Sequence, residues 1–173
     1  MAAKEILVLG NPILRQKCSP VKDTGSRDVK RLVADLRDTL RFFRLRKGFG
    51  RGIAAPQIGS TQQVVYIDFE FRGPLINPRI IQRSSKKFTL WDDCFSFPDI
   101  LVQVVRNYSI MVSFKDESGK ARRLKAQGGL SELLQHEIDH VNGILAIDRA
   151  VDSKHIILRS EYEKLSPKSP IAL

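Results

Sequence analysis

Apolar residues recur at helical spacing in two segments of the chain. In the first, a cap at Thr24 or Ser26 predicts a helix to about Lys47, with one apolar stripe and one basic face. In the second, residues 130–141 carry a shorter stripe, and Asn142-Gly143 ends it. The pattern therefore predicts two amphipathic helices, each with one face against a core.

Between these helices, residues 63–126 follow the pattern of β-strands. Strands are predicted at residues 64–67, 101–105, 109–114 and 121–125, with a hairpin turn at 116–119. Residues 76–81 also resemble a strand, but Pro78 has no N–H to donate, so this strand is predicted at a sheet edge. A short strand at residues 6–9 and a last short helix near 160–164 complete the prediction.

Length and composition place the chain among soluble globular proteins. It has 173 residues, of which 42% are hydrophobic and 28% charged. We therefore expect one domain over residues 1–173, with a short tail from about residue 165. No apolar run is long enough for a membrane span or a secretory leader.

The number of cysteines and the net charge indicate the compartment and the kind of partner. Only Cys18 and Cys94 occur, so no disulfide is expected, and the cytoplasm is the predicted compartment, with an organelle as the alternative. Lys and Arg number 29 against 19 Asp and Glu, a net charge of +10 that favours acidic partners. Because the basic residues are scattered, they favour a skewed surface over dedicated nucleic-acid binding; contact with the ribosome surface stays open.

The second helix carries candidate metal ligands. His136 and His140 are four positions apart, so they project from the same side of the helix and can hold one metal ion. Glu137 is adjacent and can act as a base on water at that metal. The chain has three histidines, and two of them take this spacing around one glutamate.

A helical wheel of the same segment separates its faces. Glu137 falls at the edge of the apolar stripe, where a carboxylate is costly to bury. Glu132, Gln135 and Asp139 fall on the opposite side, which we expect to face solvent.

A catalytic metal also needs a third protein ligand. One large group of zinc proteases supplies a histidine at the position that Ala146 occupies here, so the zinc endopeptidase interpretation lacks its ligand. Cys94 is the best remaining candidate, because a thiolate is a strong ligand for Fe²⁺ or Zn²⁺. Cys18 has no comparable setting, and His155 is interpreted as a surface or tail residue.

Residues 50–59 form a corner rich in glycine and alanine. Gly50 and Gly52 allow a ligand backbone to approach closely, and the Gln57 amide can donate to an oxyanion. No Gly-Lys-Ser/Thr follows, so the corner is not a phosphate loop.

These three segments, in this order, resemble the peptide deformylases. The motifs of that family read Gly-x-Gly-x-Ala-Ala-x-Gln, Glu-Gly-Cys-x-Ser and Gln-His-Glu-x-Asp-His. The first motif matches residues 50–57 and the third matches residues 135–140 in full, whereas the second matches only at Cys94 and Ser96. The resemblance extends over residues 6–149.

The resemblance implies a fold and a reaction. The fold would be α+β, with antiparallel β-sheets packed around a central metal-binding helix. The reaction would be hydrolysis of the N-formyl group from the initiator methionine of newly made polypeptides, with release of formate. One divalent metal ion is implied, Fe²⁺ as the working metal, with Zn²⁺, Ni²⁺ or Co²⁺ as replacements.

The resemblance also implies roles for individual residues. Cys94, His136 and His140 would hold the metal, and Glu137 would move a proton from water to the leaving amine. The Gln57 side chain and the Phe95 backbone N–H would stabilise the tetrahedral oxyanion. The implied substrate-binding residues are Gly50, Arg51, Gly52, Ile53 and Asp93.

The chain departs from the family at two of these positions. Arg51 replaces a residue that is usually apolar, and Asp92-Asp93 replaces Glu-Gly. Arg51 and Asp93 are expected either to narrow and polarise the substrate site, or to point to solvent or pair with each other.

Two other functions stay open at this point. One is a deformylase-like amidase that acts on a different N-acylated substrate. The other is a basic binding protein whose metal is structural, but Glu137 and Gln57 argue against it because a structural site needs neither residue.

Overall fold

The computed structural model describes residues 3–165, which form two antiparallel sheets and three α-helices. The elements in chain order are α1 (Arg27–Lys47), β1 (Gly52–Ala54), β2 (Val64–Phe69), β3 (Phe71–Arg83), β4 (Lys87–Asp93), β5 (Ile100–Asn107), β6 (Ser109–Lys115), β7 (Ala121–Gln127), α2 (Gly128–Val141), β8 (Ile156–Leu158) and α3 (Arg159–Leu165). Short 3₁₀ turns lie at Pro12–Arg15, Ala55–Ile58 and Ala146–Arg149. The predicted tail beyond residue 165 lies outside the described residues.

The strands divide into a five-stranded sheet, in the order β1-β2-β3-β6-β7, and a three-stranded sheet, in the order β4-β5-β8. All their pairings are antiparallel. The predicted α+β class, with antiparallel sheets around a central helix, is confirmed.

Helix α2 lies between the two sheets. One side packs its apolar stripe, including Leu134 and Ile138, against the five-stranded sheet. On the other side, Gln135 bonds to the backbone of Asn107 and Asp139 to Arg106, both in β5 of the smaller sheet. Helix α2 is therefore covered on both sides.

Helix α1 covers the opposite face of the five-stranded sheet. Ser26 Oγ accepts from the Val29 N–H at 3.3 Å and begins the helix, and Gly48, with φ +79°, ends it. Buried Leu36 and Leu40 belong to one core cluster with residues of β1, β2 and β3. The predicted Ser26 cap and the helix to Lys47 are confirmed.

The predicted edge position of the strand around Pro78 is wrong. β3 is the middle strand of the larger sheet, and its register with β6 shifts between Ile76 and Arg79. Pro78 lies in that bulge, and the preceding Asn77 has a positive φ of 53°. A bulge leaves residues unpaired, so the missing proline N–H breaks no ladder bond.

Residues 6–9 do not form the predicted strand. The Leu7 and Leu9 N–H groups each donate at 2.8 Å, but to two different segments, at Gln57 and Ser96. The segment is therefore held in place without a ladder. Strands β1, β4 and β8 were not predicted. Within residues 3–165, no helix has the length and apolar composition to cross a membrane.

Candidate metal centre

Three predicted ligands converge between the sheets. Cys94 Sγ, His136 Nε2 and His140 Nε2 lie within 4.8 Å of one another, and all three residues are buried. His140 Nε2 is 3.2 Å from both of the other atoms. Because buried lone pairs facing one another need a shared positive partner, this donor set fits one divalent cation.

Cys94 reaches this point because it directly follows strand β4. Strand β4 pairs with β5 along its whole length and delivers the thiol against α2 from the smaller sheet. The Ser96 N–H donates to Sγ from 3.4 Å and helps to orient the side chain.

Asp92 fixes the orientation of His136. Its Oδ1 lies 2.9 Å from His136 Nδ1, and an ionised carboxylate can only accept, so Nδ1 carries the proton and Nε2 has the free lone pair. Burial raises the pKa of Asp92, but His136 and Arg106 lower it further, to about 2. The sequence did not indicate a role for Asp92 in the site, although its position two residues before Cys94 was a signal that could have found it.

Arg106 supports Asp92 from β5. Its side chain is 4% exposed and donates to Asp92 at 3.1 Å and to Asp139 at 2.5 Å. Asp139 also pairs with the more exposed Arg149 at 2.9 Å. A chain of charges therefore runs from the surface to the predicted ligand His136.

Glu137 lies beside the ligands and is 3% exposed. Its Oε2 has no hydrogen-bond partner within the described part of the chain. The Gly52 backbone packs directly against it, since a Cβ at Gly52 would lie 2.8 Å from Oε1. Burial raises the pKa of Glu137 to about 7. A carboxyl with that pKa can accept and return a proton near neutral pH.

Two candidate oxyanion donors lie on the other side of the ligands. Gln57 Oε1 accepts from the Ala54 N–H at 2.9 Å, which turns Nε2 toward Cys94 Sγ (3.6 Å) and Ser96 Oγ (3.5 Å). The Phe95 N–H makes no hydrogen bond within residues 3–165. Both donors are therefore available beside Cys94.

The cleft above these groups has a charged wall. Gly50, Arg51, Gly52 and Asp93, four of the residues predicted to bind substrate, line it. The Ile53 side chain, which was predicted to join them, is instead fully buried in the core beneath α1. Neighbouring residues of a strand point to opposite faces of the sheet. Because Gly52 faces Glu137, the Ile53 side chain points the other way, toward α1.

Arg51 and Asp93 neither face bulk solvent nor pair with each other. Arg51 Nη2 lies 2.6 Å from Glu132 Oε2, and Asp93 accepts from Arg159 Nη2 at 2.7 Å. Arg159 also stacks over the Phe49 ring at 4.6 Å, so it links the two sides of the cleft mouth.

The predicted solvent-facing side of α2 is wrong for two of its residues. Glu132 and Gln135 are 2% and 6% exposed, because neighbouring strands cover that side of the helix. Burial, together with the Asp92 charge, raises the pKa of Glu132 to about 7, against the lowering effect of Arg51.

The other reactive residues lie away from the ligands. Cys18 is a free thiol in the core under α2, and burial raises its pKa to about 11. His155 is half-buried and pairs with Asp152 at 2.7 Å.

Comparisons with known proteins give a consistent result. A family model described as polypeptide deformylase matches residues 3–155. Peptide deformylase 2 of Prochlorococcus marinus is 37% identical over 162 residues, which cover 89% of this chain and 77% of that protein. The peptide deformylase of a Synechococcus species is 40% identical over 155 residues, which cover 86% of this chain and 74% of the relative.

Solved structures agree with the sequence matches. A peptide deformylase from Synechococcus elongatus in complex with actinonin has a TM-score of 0.81 at 30% identity. The match covers 98% of this chain and 89% of that chain. The layers described above are therefore shared along nearly the whole chain.

Proposed function

The chain belongs to the polypeptide deformylase family, and we propose that Cys94, His136 and His140 hold the metal of its active site. It is a metal-dependent hydrolase that removes the N-formyl group from the initiator methionine of newly made polypeptides and releases formate. The convergence of the three buried ligand atoms within 4.8 Å supports the assignment of this centre.

The donor set also bears on the metal. One thiolate and two imidazoles suit Fe²⁺, Zn²⁺, Co²⁺ and Ni²⁺ and disfavour Mg²⁺ or Ca²⁺. We propose Fe²⁺ as the working ion. When bound, such an ion lowers the pKa of water and polarises a carbonyl oxygen.

Glu137 is proposed as the proton carrier. Its unpartnered Oε2 takes the proton of the attacking water and delivers it to the amine that leaves with the methionine. The raised pKa supports both halves of this transfer.

Gln57 and Phe95 are proposed to stabilise the oxyanion that forms on the former formyl oxygen. The Gln57 amide is held by Ala54, and the Phe95 N–H is fixed in the turn that carries Cys94. Preorganised donors of this kind act at the transition state.

The whole chain, residues 1–173, is proposed to act as one catalytic domain in the cytoplasm. Its substrates are N-formylmethionyl nascent peptides. The part of the larger sheet that α1 leaves uncovered, on β3, β6 and β7, is proposed to contact the ribosome surface. On that face Arg79 and Arg123 flank Ser113 in one cross-strand row, with Lys115 and Lys125 beside them. These four cations are exposed and form no salt bridge with other residues of the described 3–165 range. The test compares cosedimentation of the parent and of Arg79→Gln/Arg123→Gln with ribosomes. Equal cosedimentation of the two proteins would contradict this contact.

The assigned centre is tested with four purified variants. Cys94→Ala, His136→Ala and His140→Ala should each lose bound metal and formate release from formyl-Met-Ala-Ser together, since three ligands leave no spare. Cys18→Ala is the matched control and should lose neither. Full metal occupancy in Cys94→Ala would overturn the ligand set, and formate release that survives removal of the metal would overturn the mechanism.

A further inference from the structure

A buried ion pair forms part of the cleft wall, and the metal centre does not require it. Arg51 Nη2 and Glu132 Oε2 are 2.6 Å apart, and the two side chains are 14% and 3% exposed. The Arg51 guanidinium also lies over the Phe69 ring, 5.1 Å from its centroid. The pair is thus held rigidly on two sides.

Stability does not account for this pair. A buried ion pair contributes little net stability, because desolvation offsets the attraction, and apolar residues of similar size often stabilise a protein more. The pair lines the same cleft as the ligand residue His136 and as Glu137. The pair is therefore placed to contact whatever occupies the cleft.

The pair lies within reach of a substrate side chain. Glu132 precedes His136 by four residues, so it lies one helical turn, about 6 Å, along α2 from that ligand. From a formyl carbon held at the ligands, five bonds lead to the sulfur of a methionine side chain, also about 6 Å when extended, and a sulfoxide oxygen lies one bond further. Aromatic rings also line the cleft at Phe49 and Phe95, and Phe43 stacks on Phe95 at 3.8 Å between centroids.

The chemistry of the pair indicates what it would recognise. A guanidinium has five N–H donors, and Arg51 directs one to Glu132 and one, at 3.5 Å, to the Gly129 carbonyl. The remaining donors can face a neutral oxygen acceptor in the cleft. A thioether is a weak acceptor and an alkyl chain is none, whereas oxidation of methionine to the sulfoxide adds a polar oxygen.

We propose that Arg51 and Glu132 are specificity-determining residues, which make the pocket accept first residues with a straight side chain that carries a neutral oxygen acceptor. Formyl-methionine sulfoxide peptides are then substrates alongside formyl-methionyl peptides. This inference rests on the proposed function of the cleft, and it concerns the first side chain rather than the reaction.

The test compares three peptides that differ only in that side chain: formyl-Met-Ala-Ser, its methionine sulfoxide form and its norleucine form. In the metal-loaded parent, kcat/KM for the sulfoxide should exceed that for norleucine. Arg51→Leu/Glu132→Leu removes both charges together, and it should lower the sulfoxide-to-norleucine ratio at least tenfold. Lys164→Leu/Glu161→Leu, which removes an exposed pair on α3, is the control and should leave the ratio unchanged.

A second variant covers the case in which the double leucine variant does not fold. Arg51→Lys keeps the charge but loses the planar fork of donors, and it should lower the same ratio severalfold at unchanged metal content. A parent that prefers norleucine to the sulfoxide, or a ratio that Arg51→Lys does not change, overturns the inference. Absence of formate from all three peptides would instead contradict the proposed function.

Discussion

Replacing Arg106 by methionine should destabilise this protein far more than the same replacement at Arg149. Both arginines donate to Asp139, and methionine keeps much of the side-chain length without the charge. The two sites differ in burial, since the Arg106 side chain is 4% exposed and that of Arg149 is 46% exposed. Arg106 alone also reaches Asp92, the carboxylate that orients His136.

The size of each loss in unfolding free energy depends on which charged groups the substitution leaves unpaired. Arg106→Met leaves the buried Asp92 carboxylate with His136 but without its arginine, and removing one partner of a buried pair costs about 3–5 kcal/mol. Arg106 Nε is itself buried without a partner, so its loss relieves one unsatisfied donor and places the expected value near the lower end. Arg149→Met removes a solvent-screened contact, which is worth about 0–1 kcal/mol.

Urea unfolding of the metal-stripped parent, Arg106→Met and Arg149→Met measures these free energies directly. Competition with a chelator on the metal-loaded forms should also show about 10–100-fold weaker metal binding in Arg106→Met, since a group that orients a ligand is lost. Adding Asp92→Asn to Arg106→Met should recover part of the stability, because the unpaired charge is gone. Equal losses of stability in the two single variants would refute the reasoning.

Two further predictions concern the catalytic base and the glycine corner. Glu137→Gln should keep its metal and lose turnover by at least about 100-fold, because it keeps size but cannot accept a proton; near-normal turnover at full metal content would contradict the base. Gly50→Ala should lower both stability and kcat, because its Cβ would lie 2.5 Å from the Phe95 ring at a φ of +128°. Gly48 also has a positive φ, but a Cβ there would meet nothing within 4 Å. Gly48→Ala should therefore have a smaller effect than Gly50→Ala, both on stability, measured by urea unfolding, and on formate release. Equal effects of the two variants would count against the packing argument.

Local pattern determined much of the helical structure from the sequence. The stripe and cap of α1, and the stripe of α2 with His136 and His140 one turn apart, depend on spacing within a single element. Periodicity could not find Cys94, which lies over 40 residues before these histidines and outside any strand or helix. Ligand chemistry made it a candidate, and the family motifs supported that choice. The α+β class came from the same resemblance.

Only the tertiary structure decided what surrounds those groups. A helical wheel separates the faces of α2 but cannot show what covers each face. The wheel therefore predicts that Glu132 and Gln135 face solvent, whereas strands cover both residues in the structure. The position of Pro78 in a central strand depended in the same way on a bulge with β6.

The charged partners of the site were equally beyond the sequence. Arg51 pairs with Glu132 across 81 positions, and Asp93 pairs with Arg159 across 66. Asp92 acquires its role only where β4 and β5 meet α2 and bring Arg106 and His136 to it. Spacing along the chain fixes which side chains share one face of one element, whereas ion pairs form between elements that only the packed sheets and helices bring within 3 Å.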